Sequence, residues 1–376
     1  MDGGSEGRPT GGGQAGGRWP SPLNIADVAA LAGVSVATVS RSLSNPERVA
    51  RATRERVLEV VRRTGYTPNV AARSLRVARS MNVLVVVPSL ANVFYSALLL
   101  GVDRALSAEG YGLLVGNLDD EPEKESRLVD LVLAGQADGV ILLNGQAPRG
   151  RLRSLADGRV PVVAISVPSV RDIPAVLVRE REAAAAVAGH LLSLGHRRLG
   201  YVSGPRNNYV DGERWAGFRD VLLASGIAET SIRRYQGSFR LATGVAAGQA
   251  FLAEAERPTA VFAVSDEMAI GFMRTVRDSG LEVPRDVSVA GFDGIEFADY
   301  CEPRLTTVRQ PREQMGKAAA EILVRTMRGE ALPPECRRFW LDGELRIGGS
   351  TAAPGKQLAL RHRRKLPTPH DPGRVP

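Results

Sequence analysis

Residues 24–43 read NIADVAALAGVSVATVSRSL, and this stretch decides how the front of the chain folds. Asn24 suits the cap of a first helix, and Asp27 in its first turn complements the positive end of the helix dipole. Ile25, Val28, Ala29 and Ala32 repeat at helical spacing and make one stripe for burial. Gly33 permits a sharp turn, Ser35 caps a second helix, and Val34 and Val39 face back toward the first. Two short helices packed this closely around small alanines make a helix-turn-helix. The second helix leaves Val36, Ala37, Thr38, Ser40 and Arg41 free to meet a major groove. Small side chains there let the backbone approach, and Arg41 can donate two hydrogen bonds to a guanine edge. Taken alone, the pattern also fits an ordinary helical hairpin.

A third helix is predicted from about Thr53, with Val57, Leu58, Val60 and Val61 inward and Arg54, Arg56, Arg62 and Arg63 outward. It closes at Gly65, and Pro68 prevents continuation. In PNVAARSLRVARS, Asn69 caps a fourth, very short helix carrying Arg73, Leu75, Arg76 and Arg79. Alone it has too little core to hold in water, so DNA and a partner copy would have to complete it; the plainer reading is a solvated basic linker. Between Asn24 and Ser80 ten Arg face four acids, and from Ala352 to Pro376 six Lys or Arg face one Asp. With a net charge of +8 overall, the long middle is mildly acidic, and a polyanion partner suits the front. Basic runs are also often no more than solvated faces.

From Met81 to about Ser350 strand-like runs alternate with amphipathic helices, which calls for parallel sheets. One series runs MNVLVVVPS, SALLLGVDRALSAEG, YGLLVGNL, KESRLVDLVLAGQ, DGVILLN; a second runs RLGYVSGP, ERWAGFRDVLLASG, TAVFAVSD, EMAIGFMRTVRDSG, VSVAGFDG. Helices ending in AEG, LAGQ, ASG and DSG carry glycine where a C-cap wants it. Two such series mean two similar lobes. The predicted plan is a disordered Gly- and Pro-rich stretch over 1–22, a helix-turn-helix domain over 23–67, a linker over 68–80, a two-lobed α/β domain over 81–351 and a disordered basic tail over 352–376.

Several classes are set aside. The longest apolar runs, such as Val83–Val87 and Val140–Leu143, have strand length and fall short of a membrane span, and the start lacks the apolar segment of a secretory signal. Cys301 and Cys336 lack metal-ligand spacing, so neither a zinc site nor a disulfide framework is expected, and a reducing cytoplasm is. PSLANVFYS follows the first strand where a dinucleotide enzyme would have GxGxxG, and His190, His196, His362 and His370 show no grouping with an acid and a nucleophile. No catalytic site, metal or cofactor is expected.

IADVAALAGVSVATVSRSLSNPERV, TRERV and GYTPNVAARSLR resemble the DNA-binding head of the lactose-repressor (LacI/GalR) family, which includes the galactose, purine and cytidine repressors. VVVPSLANVFYSALLLGVDRAL, GHRRLGYVSGP, RWAGFRDVL, TAVFAVSDEMAIGFMRTVRDSGLEVPRDVSVAGFDG and LTTVRQP continue the likeness over roughly residues 24–350. The resemblance implies a recognition helix from Ser35 through Leu43, with Val36, Ala37, Thr38, Ser40 and Arg41 on bases or flanking phosphates. It implies a hinge helix over Asn69–Arg76 whose Leu75 wedges between base pairs from the minor groove, with Arg73 and Arg76 beside it. It implies a homodimer on a near-palindromic operator with half-sites about 10 bp apart or a related spacing.

The resemblance further implies periplasmic-binding-protein-like lobes with a small effector in the cleft between them, at the carboxyl ends of parallel strands. Asn92, Phe94 and Tyr95 follow the first strand, the aromatics able to stack on a sugar or base. Asp293 in GFDG and Arg214 in ERWAGF match the family's cleft aspartate and arginine, and Ser166, Asn208, Phe239 and Asp266 fall at or beside further cleft positions. Two departures stand out. Arg179 and Glu180 follow the strand Ala175–Val178 where many relatives have an acid and Asn, and Ala50 stands where relatives usually cap with Ser. SNPERVARATRERV, VVVPSLANVFYS and FADYCEPRLTTVRQP sit nearest the cytidine and purine branch, which points to a nucleoside or purine effector, with a sugar close behind. The expected function is a ligand-responsive repressor, with an activator of the same architecture as the alternative. A solute-binding protein would share the lobes and lack the head.

Overall fold

The computed structural model describes residues 23–67, 79–118, 121–143, 151–152, 155, 160–168 and 173–355, and the chain divides into two compact units, 1–80 and 81–376. The expected extension over 1–22, the hinge residues 68–78 and the tail from 356 lie outside the described residues.

In the first unit, α1 (Ile25–Ala32) and α2 (Val36–Ser44) meet at 100°, the angle of a helix-turn-helix. Asn24 accepts from the Ala26 and Asp27 amides, and Asp27 reaches back to the Asn24 amide at 2.8 Å, a reciprocal capping box. Gly33 turns the chain with φ 62°; a side chain would meet nothing there, so conformation and not space asks for glycine. The core is Val28, Ala29, Ala32, Val39, Val57, Val60 and Tyr66. The third helix, α3 (Arg51–Thr64), starts two residues before the predicted Thr53. Leu58, expected inward, is 37% exposed: Val57, Val60 and Val61 occupy the i, i+3, i+4 face, and Leu58 lies a hundred degrees round from Val57.

The second unit holds two six-stranded sheets. The first has β1 (Asn82–Val87), β2 (Gly112–Asn117), β3 (Gly139–Leu142), β4 (Val162–Ile165), β5 (Ala175–Val178) and a late strand, β11 (Arg338–Leu341), in the all-parallel order β2-β1-β3-β4-β5-β11. The second has β6 (Leu199–Val202), β7 (Arg233–Tyr235), β8 (Ala260–Ala263), β9 (Ser288–Asp293) and β10 (Thr306–Arg309) in the parallel order β7-β6-β8-β9-β10, closed by antiparallel β12 (Glu344–Arg346). Strand β1 shows why helices cover both faces. Val83, Val85 and Val87 pack with Leu98, Val102 and Met315, while Leu84 and Val86 pack with Val129 and Val132 on the other side.

The helices are α4 (Phe94–Ala108), α5 (Pro122–Leu133), α6 (Glu180–Ser193), α7 (Tyr209–Ala224), α8 (Leu241–Ala253), α9 (Asp266–Asp278) and α10 (Arg312–Met327). Helices α4 and α10 touch backbone to backbone: a Cβ on Gly101 would lie 2.1 Å from the Glu313 carbonyl oxygen, and one on Gly316 would lie 2.1 Å from that of Leu98. The chain crosses between lobes three times, at Arg179, at Gln310–Arg312 and at Asp342–Gly343. The tail begins later than 352. His196 Nε2 donates to the Ala352 carbonyl (2.8 Å) and the Ala352 amide donates to Ser288 Oγ (3.0 Å), so Ala352 belongs to the second lobe. No single helix among the described residues is long and apolar enough to cross a membrane.

Candidate functional site

Helix α2 is held by its own cap, and the residues expected to read DNA lie on it. Ser35 Oγ accepts from the Thr38 amide at 3.2 Å and lies 2.9 Å from Thr38 Oγ1, while Val39 anchors the opposite face in the core. Ser35, Val36, Ala37 and Arg41 are exposed, and Thr38 and Ser40 are half-buried. Arg41 Nε donates to the Ala37 carbonyl at 3.3 Å, which lays the guanidinium along the helix. Asn69, Arg73, Leu75 and Arg76 lie outside the described residues.

The two sheets share one strand pattern, with the order reversing between β1 and β3 in one lobe and between β6 and β8 in the other. Such reversals open a crevice at the carboxyl ends of the strands. A cavity of about 470 Å³ lies there, within the range of small-molecule sites. Eight of the nine predicted cleft residues line it: Asn92, Phe94, Tyr95, Ser166, Asn208, Arg214, Phe239 and Asp293. Among the described residues five non-glycine residues have positive φ, and three of these, Ser166 (64°), Phe239 (63°) and Asp293 (120°), line this cavity. Backbone strain of that kind gathers where side chains must be aimed. Beside Asp293, Gly294 has φ 63°, and a Cβ there would lie 2.6 Å from the Arg309 Cα.

Arg214 and Asp293 form the charged floor. Arg214 Nε donates to Glu180 Oε2 (2.8 Å), Nη1 donates to the Val264 carbonyl (2.6 Å), and Nη1 lies 3.7 Å from Asp293 Oδ1. The Phe292 ring lies 3.8 Å beneath the guanidinium carbon. Gln310 Nε2 donates to Asp293 Oδ1 at 2.8 Å. Burial pushes the Asp293 carboxyl up to about 7, against the pull of Arg214 and Arg312. Burial likewise raises the Tyr95 phenol, with the Asp293 charge adding to it. Phe94 and Tyr95 stand edge to face at 5.3 Å.

Asp266 is the exception. It is fully buried behind the cavity wall, where one oxygen accepts from the Ile295 amide (2.8 Å) and the other from Thr307 Oγ1 (2.5 Å). It holds the Asp293–Ile295 turn from below and does not line the cleft, because both oxygens already have partners inside the lobe. Burial, and then the nearby Asp293 charge, raise its carboxyl.

Two further residues, Arg312 and Glu267, join the lobes, and a third, Gln310, braces the site from the second lobe. Arg312 Nη2 donates to the Gly294 carbonyl (2.9 Å) and Nη1 to that of Phe94 (3.4 Å); Glu267 Oε1 accepts from the Val93 amide (3.1 Å); Gln310 braces Asp293. Their common signal is a polar side chain next to a strand end or lobe crossing, visible only once the crossings are known. The departure at Arg179 and Glu180 now has a geometry. Arg179 turns outward, 3.2 Å from Asp342 and over Trp340, while Glu180 turns inward to Arg214.

With head and cleft in place, comparison with known proteins is decisive. The description "Bacterial regulatory proteins, lacI family" matches residues 24–69, and "Periplasmic binding protein-like domain" matches residues 188–351. Over 329 residues the chain is 34% identical to the HTH-type transcriptional repressor CytR of Escherichia coli (strain K12), covering 87% of this chain and 96% of that one. The chain belongs to the lacI family of bacterial regulatory proteins. Its fold is that of the lac repressor dimer bound to operator and an anti-inducer (TM-score 0.78, 27% identity, 89% of this chain and 100% of that one). It is also similar to the transcriptional regulator CelR in complex with cellobiose (TM-score 0.66, 34% identity, 87% and 99%). Identity to CytR and to this CelR is the same, so the cleft itself must indicate the effector.

Proposed function

We propose that this lacI-family regulator is a repressor that binds a near-palindromic operator as a homodimer, and that a polyhydroxylated small molecule between its lobes changes its affinity for DNA. In the head, α2 enters the major groove with Val36, Ala37 and Arg41 foremost, and the fold shared with the operator-bound lac repressor supports that mode and the dimer.

One observation carries the effector reading: an Arg214–Asp293 pair, aimed by a strained backbone, faces Phe94 and Tyr95 across one cavity. Asp293 accepts from one hydroxyl while Arg214 donates to its neighbour, and an aromatic face covers the flat side of the ligand. A ribose or hexose diol meets these demands, which suits a nucleoside or a sugar, and the cellobiose held by CelR supports the sugar arm. The protein works by binding, not catalysis, and its place is the cytoplasm, with DNA. The test is Asp293→Ala: operator binding should survive while the response to nucleosides and sugars is lost. An unchanged response refutes the cleft assignment. Deleting the gene should raise expression from the operator it binds; a fall indicates activation instead.

A further inference from the structure

The charges at the cleft floor do not add up to an anion site, although an arginine is at its centre. Arg214 and Glu180 are 4% and 3% exposed at their side chains, and their ion pair at 2.8 Å is out of reach of salt and water. Asp293 places a second carboxyl 3.7 Å from the same guanidinium. Glu180 Oε1 is buried and accepts no hydrogen bond among the described residues, which leaves Arg214 as the hydrogen-bonded partner of this carboxyl. The other cations nearby do not restore the balance. Arg312 lies between the Gly294 and Phe94 carbonyls, and Arg240 is an exposed residue of the cavity lining, while Glu267 and Asp266 add acids behind the same wall.

We infer that Glu180 sets the charge specificity of the cleft: by holding Arg214 in a buried ion pair it admits uncharged polyhydroxylated effectors and turns away phosphorylated or carboxylated ones. The inference rests on the cleft being the effector site. Arg214 Nε and one Nη1 hydrogen already have acceptors, so the hydrogens left to it can serve a neutral oxygen. A phosphate or carboxylate set against the same group would bring a further negative charge to a guanidinium already paired with Glu180 and beside the Asp293 carboxyl, in a low-dielectric pocket. A hydroxyl brings none.

Inorganic phosphate is the probe, titrated calorimetrically into the full chain without DNA. The wild-type protein should show no saturable phosphate binding. Glu180→Gln keeps an oxygen for Arg214 Nε and removes the charge, so it should gain phosphate affinity by about tenfold or more, equivalent to about 1.4 kcal/mol. Adding Arg214→Met should abolish the gain and place it at this guanidinium. A folded Glu180→Gln protein, with a cooperative melt, that gains nothing overturns the inference. So does wild-type protein that binds phosphate saturably and loses it on Arg214→Met, a measurement that stands even when Glu180→Gln does not fold. Neither readout involves operator or effector, so this inference can fail while the regulatory reading stands.

Discussion

The two lobes have the same strand order and differ in the charge they bring to the cleft. The first supplies the aromatic pair Phe94 and Tyr95 with the neutral polar Ser89, Asn92 and Ser166, and the second supplies every charged group of the described lining, Arg214, Arg240 and Asp293, beside Asn208 and Phe239. We read the charged wall as the one that recognises and the aromatic wall as mainly cover. On that reading the second lobe would orient a ligand by itself, because Gln310, Glu180 and the Val264 carbonyl already hold Asp293 and Arg214 in place. The first lobe adds an aromatic face and neutral hydrogen-bonding groups and no charge. That asymmetry is a physical source for the differential affinity that any effector-driven change of lobe arrangement requires.

The largest way to break the asymmetry is at the recognising wall. Asp293→Ala removes the hydroxyl acceptor and leaves Arg214 with one acid fewer. The expected loss of effector affinity is about 2–4 kcal/mol, roughly 30- to 1000-fold, with operator affinity kept. Calorimetry and a gel-shift titration check the two halves. Because the folded-state Asp293 carboxyl sits at about 7, pH gives a second handle on the same wall. An ionised carboxylate accepts hydroxyls better, so effector affinity should climb as pH rises toward 7 and level off above it. Stability runs the other way. Between about 4, where an unfolded Asp ionises, and 7, the unfolded chain loses a proton that folded Asp293 keeps, so this group lowers stability as pH rises through that window. Asp293→Asn should flatten both profiles, and a persisting affinity slope would assign it to another group.

A smaller effect belongs to the covering wall. Tyr95→Ala should weaken effector binding by about tenfold, with Phe94→Ala close to it, since an aromatic face contributes about 1–2 kcal/mol. If Tyr95→Ala proves costlier than Asp293→Ala, recognition sits in the first lobe and the comparison is reversed.

The head and the cleft differ in how far the sequence alone reveals them. The contacts that make the helix pair are local: Asn24 to Asp27, Ser35 to Thr38, Val28 with Val39, all within residues 24–43, and only Val57, Val60 and Tyr66 come from farther along to close the core. Leu58 escaped because one residue of helical phase separates a buried valine from an exposed leucine, and an apolar residue carries no mark of which side it takes. The cleft brings together residues from Asn92 to Asp293, and spacing cannot show which of them meet; eight of the residues that family resemblance points to line one cavity. Asp266 lies beside the lining and not in it: an aspartate at a strand end reads the same whether it faces a cavity or, as here, Thr307 and the Ile295 amide. Glu180 was noticed only as a departure. Its role needed the fold, since its partner Arg214 lies 34 residues on and on another helix.

The smallest effect tests whether the local logic of the head is complete. Helix α3 begins after Ala50, which offers no side-chain cap, whereas α1 and α2 are both capped by side chains. The Ala50 backbone is extended at ψ 135°, close to the Ser35 value of 154°, so a serine hydroxyl at position 50 would be placed to accept an amide of the first turn. Ala50→Ser should therefore stabilise the head by about 1 kcal/mol. Denaturant unfolding of the full chain, followed by the amide exchange of residues 51–64, reads that gain directly. Protection in the second unit should stay unchanged, because no residue of α3 belongs to its cores. Equal protection gained in both units would mean that the head and the sensor do not unfold separately, and that the first turn of α3 is held by something other than its own cap.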